Sequence, residues 1–195
     1  MTHPRKIDRL ARAMNKLLAF YYGGAPDDRG RLLAEITRQD DLWLEVTHDY
    51  VQWLFPLREM SRVTPWAPVV DNEVLAAFRD DELLRTHLMV SFLRMLSFYG
   101  LARKDGRIVK GGNWEERKDN WFIHGTHNDL RITRIIKCLT LLGLRPVAEQ
   151  FHATLVELRE SEPDCGIGEI AFRYWGAALG TDILTIADEA NATRN

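Results

Sequence analysis

Hydrophobic residues recur at helical spacing along most of the chain, and short polar stretches separate the periodic segments. Spacings of three and four residues place apolar side chains on one helix face, so each segment predicts an amphipathic or buried helix. The predicted helices cover 7–21, 27–36, 43–55, 71–78, 83–99, 128–143, 144–158, 168–179 and 182–190. The fold class indicated is mainly α, a helical bundle of about seven to nine helices.

Three connecting segments depart from this pattern. Asp105-Gly106 lies between two short extended arms, which predicts a small β-hairpin near 101–110. Pro65 and Pro68 surround Trp66 in a stretch without periodicity, which predicts a loop. Residues 113–124 fit either a short helix or an ordered loop. The bundle is therefore expected to carry one small hairpin.

The segment 128–143, which we call the arginine helix, is unusual because its apolar face contains arginine. At about 100° per residue, Arg131 projects between Cys138 and Leu142. Arg134 is also flanked by leucines, so most of the helix surface is predicted to pack against protein. The apolar arc consists of Ile132, Ile135, Ile136, Cys138, Leu139 and Leu142.

A buried guanidinium needs a partner, because leaving its charge uncompensated costs several kcal/mol. One source of compensation is an internal carboxylate, and the candidates are Asp49, Glu59 and Glu82. The other source is an anionic ligand, which arginine binds through two parallel hydrogen bonds. An internal network is the commoner arrangement, and a ligand is the alternative for Arg131 and Arg134.

Composition narrows the class of protein. With 195 residues and 46% hydrophobic content the chain can bury one core, so a single domain over 1–195 is predicted. The 26 basic and 28 acidic side chains nearly cancel, which predicts no nucleic-acid partner. Cys138 and Cys165 are too few for a disulfide framework. No signal sequence or apolar run of about 18 residues occurs, so we expect a cytoplasmic chain without a transmembrane segment.

The histidines do not form a recognisable metal motif. His124 and His127 stand three residues apart just before the arginine helix, and His48 lies earlier in the chain. A helix-breaking glycine separates the first two, and no His-Glu-x-x-His string occurs, so we predict no metal and no other cofactor. Asn128 or Asp129 is instead predicted to cap the helix.

The chain also contains no complete catalytic motif. A nucleophile elbow, a Cys–His arrangement and a phosphate loop are all missing from the sequence. We therefore predict that the protein is not an enzyme. The enzyme alternative would use His48 or His127 as general base, with Arg131 and Arg134 stabilising an anion.

Aromatic residues suggest a binding groove. Trp53 and Phe55 are two residues apart and therefore project to different sides of a helix, so one could pack in the core while the other lines a groove with Trp66. The predicted function is a helical binding module for a short peptide or protein partner, with a purely structural docking domain as a further alternative. The predicted ligand-binding residues are Trp53, Phe55, Trp66, His127, Asn128, Arg131 and Arg134.

Three sequence blocks resemble the conserved N-terminal region of the opioid growth factor receptor family. They lie at 48–59, 95–100 and 114–143, and they include the strings Gln-Trp-Leu-Phe-Pro and His-Asn-x-Leu-Arg-Ile-Thr-Arg-Ile. The resemblance places the family-conserved region at about 43–158.

The resemblance implies a receptor for the opioid pentapeptide methionine-enkephalin, with a membrane association at the nuclear envelope and no relation to the seven-helix opioid receptors. The nuclear localisation signals and the repetitive C-terminal tail of that receptor are not found in this sequence. We therefore expect a short stand-alone member of the family, with bacteria as one candidate source, in which opioid binding need not be retained.

Overall fold

The computed structural model describes residues 15–61 and 64–180, which form helices and one antiparallel hairpin. The predicted mainly α fold with a single small hairpin is confirmed for this part of the chain. The helices divide between two compact units, Met1–Phe98 and Tyr99–Asn195. The single domain predicted over 1–195 stays a prediction. The predicted helix at 182–190 and the start of the one at 7–21 lie outside the described residues.

The first unit contains six described helices. Aspartates begin two of them: the Asp40 side chain accepts from the backbone N–H of Trp43 at 2.7 Å, and that of Asp71 accepts from Val74 N–H at 2.8 Å. Each side chain satisfies one of the N–H groups that a helix start leaves without a partner. The helices are α1 Lys16–Tyr21, α2 Leu33–Ile36, α3 Asp41–Val46, α4 Val51–Leu54, α5 Asn72–Asp80 and α6 Glu82–Phe98.

The predicted helix at 27–36 is wrong in its first half. The Asp27 carboxylate accepts hydrogen bonds from the backbone N–H groups of Arg29 and Arg31 and from Arg31 Nε at 2.8–2.9 Å. These bonds fold 27–31 into a turn, because a short acidic side chain competes with the helix for backbone donors. The helix begins only at Leu33.

The predicted helix at 43–55 is two helices. Thr47 adopts an extended conformation (φ −97°, ψ 131°) and ends α3, and Asp49 then bonds to Arg29 Nε and Arg31 Nη2, each at 2.9 Å. Ion pairs with a distant turn therefore hold the break between α3 and α4. Helical periodicity continued through this break and concealed it.

Aromatic packing forms the core of the first unit. Helix α1 packs on α5 and α6, and Phe20 meets Trp53 edge to face with 5.0 Å between ring centroids. Tyr21 packs on Phe78 at the same distance, and its hydroxyl donates to the backbone oxygen of Leu54 at 2.6 Å. Such pairs contribute beyond their buried area.

The second unit contains the predicted hairpin and four helices among its described residues. Leu101 pairs with Lys110, and Asp105 and Gly106 have φ of 49° and 77°, as a two-residue type I′ turn requires. The segment 113–124 contains a short helix followed by a 3₁₀ turn. The elements are β1 Leu101–Lys104, β2 Arg107–Lys110, α7 Trp114–Arg117, the 3₁₀ turn Lys118–Asn120, α8 His127–Leu141, α9 Arg145–Ser161 and α10 Glu169–Ala177.

Helix α8, the arginine helix, lies at the centre of the second unit. Both α9 and α10 pack against it, and α9 also contacts β2. Every predicted residue of its apolar arc is at most 1% exposed, which confirms the periodicity argument. Leu130, which precedes Arg131, is 74% exposed, so the first turn is covered less completely than the rest.

No helix among residues 15–61 and 64–180 combines the length and the apolar character needed to cross a membrane.

Candidate functional site

The first turn of α8 carries polar atoms that have no hydrogen-bond partner in the part of the chain that the structure describes. Gly125 turns the chain with φ of 72°, and Thr126 then precedes the helix in an extended conformation. The predicted cap at Asn128 or Asp129 is wrong, since the helix begins at His127 and Thr126 occupies the capping position. The hydroxyl of Thr126 accepts no hydrogen bond from the helix and is buried without a partner among the described residues.

Asn128 is fully buried. Its side-chain oxygen accepts from Arg131 Nη1 at 3.4 Å, whereas its nitrogen Nδ2 has no hydrogen-bond partner within residues 15–61 and 64–180. A buried donor without a partner costs about 1–3 kcal/mol, and such groups are rare in folded proteins. Asn128 therefore presents an unmet hydrogen-bonding requirement.

Asp129 has a second unmet hydrogen-bonding requirement, because its side chain needs a donor where that of Asn128 needs an acceptor. Its backbone oxygen accepts from Trp175 Nε1 at 3.0 Å, which ties the turn to α10. Its carboxyl oxygen Oδ1 is buried and unpaired in the described part of the chain. Burial raises the pKa of Asp129, and the smaller electrostatic effect of nearby His124 opposes the rise without cancelling it.

Arg131 lies one turn further along the same face as Asn128. It is 6% exposed, which confirms its predicted burial, and Arg134 is half-buried. Three carboxylates are predicted as internal partners of Arg131. One of them, Asp49, is bound to Arg29 and Arg31 within the first unit. His127, the first residue of the helix, is exposed. The turn thus combines an exposed histidine, an unpaired donor, unpaired acceptors and a buried arginine.

The three predicted aromatic residues differ in exposure. Trp53 and Phe55 are 1% and 0% exposed, so a ligand would reach them only if neighbouring core side chains moved. Trp66 is 59% exposed. The ligand-binding role predicted for these residues stays a prediction, and Trp66 alone of the three is accessible to a partner as the structure stands.

The remaining candidates are a metal site, the thiol of Cys138 and the imidazole of His48. Within the described residues, no group of three histidine, cysteine or acidic side chains is arranged to hold a metal ion. Cys138 is completely buried, and burial raises the pKa of its thiol far above the usual range, which suppresses reactivity. His48 is exposed in the first unit.

The pKa of Asp129 gives a testable consequence. A carboxyl group with a raised folded-state pKa contributes most to stability below its unfolded pKa of about 3.9 and loses that contribution as pH rises through the folded value. Asp129→Asn removes the buried charge. We therefore expect the variant to be more stable than the parent near pH 7 and equally stable near pH 3, as urea denaturation at the two pH values would show.

A loss of stability in Asp129→Asn near pH 7 would contradict this expectation. A carboxylate in the first turn is favoured by the helix dipole. If Asp129→Asn is less stable than the parent near pH 7, the dipole outweighs burial, and the unpaired oxygen has a partner in solution.

The described part of the chain is thus mainly helical, with an incompletely paired polar turn at the start of α8. The chain belongs to the opioid growth factor receptor family, because the sequence model of that receptor's conserved region matches residues 12–163. This match is longer than the predicted 43–158 and contains the whole of α8.

Individual relatives agree with the family match. The chain is 40% identical over 116 residues to the mouse opioid growth factor receptor, which is 58% of this chain and 17% of the receptor. It is 39% identical over 118 residues to the human receptor, with 58% and 16% covered. Mouse opioid growth factor receptor-like protein 1 is 36% identical over 116 residues, with 58% and 24% covered. The first two relatives are named as receptors and the third as a receptor-like protein, and none of the three names describes an enzyme, in agreement with the predicted class.

The matched stretch therefore spans less than a quarter of these relatives' own length. No solved structure matches the chain.

Proposed function

We propose that this protein is a binding module for a short peptide and that the first turn of α8 is its recognition surface. The observation that carries the proposal is that, among the described residues, the Nδ2 of Asn128 and oxygens of Thr126 and Asp129 in the same turn all lack a hydrogen-bond partner. A peptide main chain offers a carbonyl acceptor and an N–H donor at each residue. It is therefore the ligand class that can satisfy both kinds of group.

Peptide binding would be driven by the free-energy difference between the empty and the occupied first turn of α8. Each buried polar atom without a partner destabilises the protein by about 1–3 kcal/mol, and a ligand that pairs with it recovers that free energy on binding. Asn128 would donate to a peptide carbonyl, and Asp129 would accept from a peptide N–H or a terminal amine. Arg131 and Arg134 follow at helical spacing and suit a carboxylate of the same ligand.

Access to the first turn of α8 requires a rearrangement of the side chains around it. The unpaired atoms are themselves covered, but His124 and His127 are exposed and Leu130 is 74% exposed. Asn128 is 0% exposed, so a peptide would reach its Nδ2 only if the side chains that cover it moved. Such movement is part of the proposal.

The relatives supply the first probe. Their name describes receptors for an opioid growth factor, and methionine-enkephalin is the peptide that the family resemblance implies. We propose that this chain retains peptide binding at α8, whereas the activity of the full-length relatives is a separate question. The C-terminal amide of the same peptide tests the arginines, because amidation removes the carboxylate.

The test measures the rise in melting temperature on adding methionine-enkephalin to the parent and to two matched variants. Asn128→Asp keeps an oxygen for Arg131 and replaces the unpaired donor by an acceptor, so we expect at least tenfold weaker binding, about the worth of one charge-assisted or buried hydrogen bond. Asn120→Asp makes the same chemical change at an exposed position and should bind like the parent.

Each outcome of this test supports or rejects a stated part of the peptide-binding proposal. Loss of binding in Asn128→Asp alone supports the proposal, and weaker binding of the amidated peptide adds the arginines to the site. Equal binding by the parent and Asn128→Asp would exclude the first turn as the recognition surface. No stabilisation of the parent at millimolar peptide would reject opioid-peptide binding by this chain.

A further inference from the structure

A second candidate site lies between α9 and α10, and all its lining residues belong to these two helices. Side chains from both helices line a groove of about 500 Å³. This volume falls within the range of about 300–1,000 Å³ that is usual for small-ligand sites. Val156, Phe172 and Ala177 provide its apolar surface. The family match ends at 163, so α10 lies beyond the matched region.

His152 is the first unusual group in this groove. The half-buried ring packs against the backbone of α10 at Gly176, where an added Cβ would lie 3.5 Å from Nε2. The imidazole makes no hydrogen bond or ion pair to any described residue. Burial lowers its pKa, so the ring is uncharged near neutral pH. An uncharged imidazole offers one N–H donor and one acceptor.

Arginines supply the charge of the groove. Arg159 bonds to Glu169 at 2.5 Å, and its guanidinium lies 4.6 Å from the Phe172 ring centroid. Arg173 is exposed and has no ion pair or hydrogen bond to the described part of the chain. Glu160 and Glu169 also line the groove, so its two acidic side chains balance the two arginines. Such a groove accommodates a ligand with a single negative charge better than a phosphate dianion.

We propose that this groove binds a monocarboxylate attached to an apolar body. Arg173 would hold the carboxylate through its planar fork of donors. The N–H of His152 would donate a further hydrogen bond, and Phe172 with Val156 would contact the apolar part. The carboxylate could belong to a small organic acid or to the C-terminus of a peptide, and the two sources share the same chemistry.

The test is an NMR titration of the full chain with 3-phenylpropionate, monitored through the backbone amides of α9 and α10. We expect saturable shifts at His152 and Arg173. The neutral isostere 3-phenylpropanamide should bind at least tenfold more weakly, because a charge-assisted pair is lost. A third arm, an N-acetylated dipeptide that ends in free phenylalanine, shows whether the groove also accepts a peptide end.

Variants make the assignment specific. Arg173→Gln should weaken binding of the acid about tenfold, Arg173→Lys should weaken it less, and Arg107→Gln on the exposed face of the hairpin should have no effect. Arg173 is exposed, so its variants should retain the parent spectrum. Equal affinity for acid and amide, or full affinity in Arg173→Gln, would overturn the proposal.

Discussion

Replacing Trp53 by alanine is expected to lower the free energy of unfolding by about 3–5 kcal/mol, the usual cost of truncating a buried aromatic side chain. Trp53 is 1% exposed, meets Phe20 edge to face at 5.0 Å, and has the Lys16 ammonium 5.3 Å from its ring centroid. Alanine would leave a cavity between α1 and α4 that rigid neighbours cannot fill. Urea denaturation followed by far-UV circular dichroism measures the change.

Trp66→Ala is the matched control, since it makes the same substitution in the same unit. Trp66 is 59% exposed, so its loss should change stability by no more than about 0.5 kcal/mol. If the two variants lose equal stability, the burial of Trp53 is not as described. A stable Trp53→Ala with altered peptide binding would instead favour the predicted groove.

Gly100→Ala is expected to destabilise the second unit by about 2–5 kcal/mol, because it combines backbone strain with overpacking. Gly100 has φ of 75°, where a side chain is strained. Its Cβ would also lie 2.8 Å from the Cα of Trp114 and 3.0 Å from the Cβ of Arg117. The backbone contact cannot be relieved by rotating a side chain. Urea denaturation followed by far-UV circular dichroism gives the change.

Gly112→Ala controls for the loss of a glycine in the same region. A Cβ at Gly112 meets nothing within 4 Å, and its φ is not in the left-handed region. Its stability should therefore stay close to that of the parent or rise slightly, through lower entropy of the unfolded chain. A Gly100→Ala variant as stable as Gly112→Ala would contradict the close approach of α7 to the hairpin.

The sequence predicted those parts of the fold that depend on local patterns. The hairpin followed from Asp105-Gly106, because few residues other than glycine, asparagine and aspartate tolerate the positive φ that its turn requires. The buried arc of α8 and the burial of Arg131 followed from helical periodicity. Both features were confirmed because each is determined mainly by nearby residues.

Features that depend on distant residues were not predictable in the same way. The break between α3 and α4 is held by Asp49 pairing with Arg29 and Arg31, and no local pattern reveals such a pair. The split of the predicted helix at 43–55 therefore had no signal in the residues next to it.

The candidate site was predictable only in part. Asn128 and Arg131 belonged to the predicted set, and both are buried. The unpaired atoms of Thr126 and Asp129 were missed, because a missing hydrogen-bond partner is a property of the space around a side chain rather than of its sequence position. Gly125, which ends the preceding loop, was the available signal that Thr126 would occupy the capping position.

The side-chain amide resonances of Asn128 provide the most direct test of peptide recognition at α8. We expect them to shift saturably when methionine-enkephalin is added, together with the amides of Thr126 and Asp129, as the unpaired Nδ2 gains a carbonyl partner. Binding that shifts other resonances, such as those around Trp66, and leaves the Asn128 side chain unchanged would contradict the account.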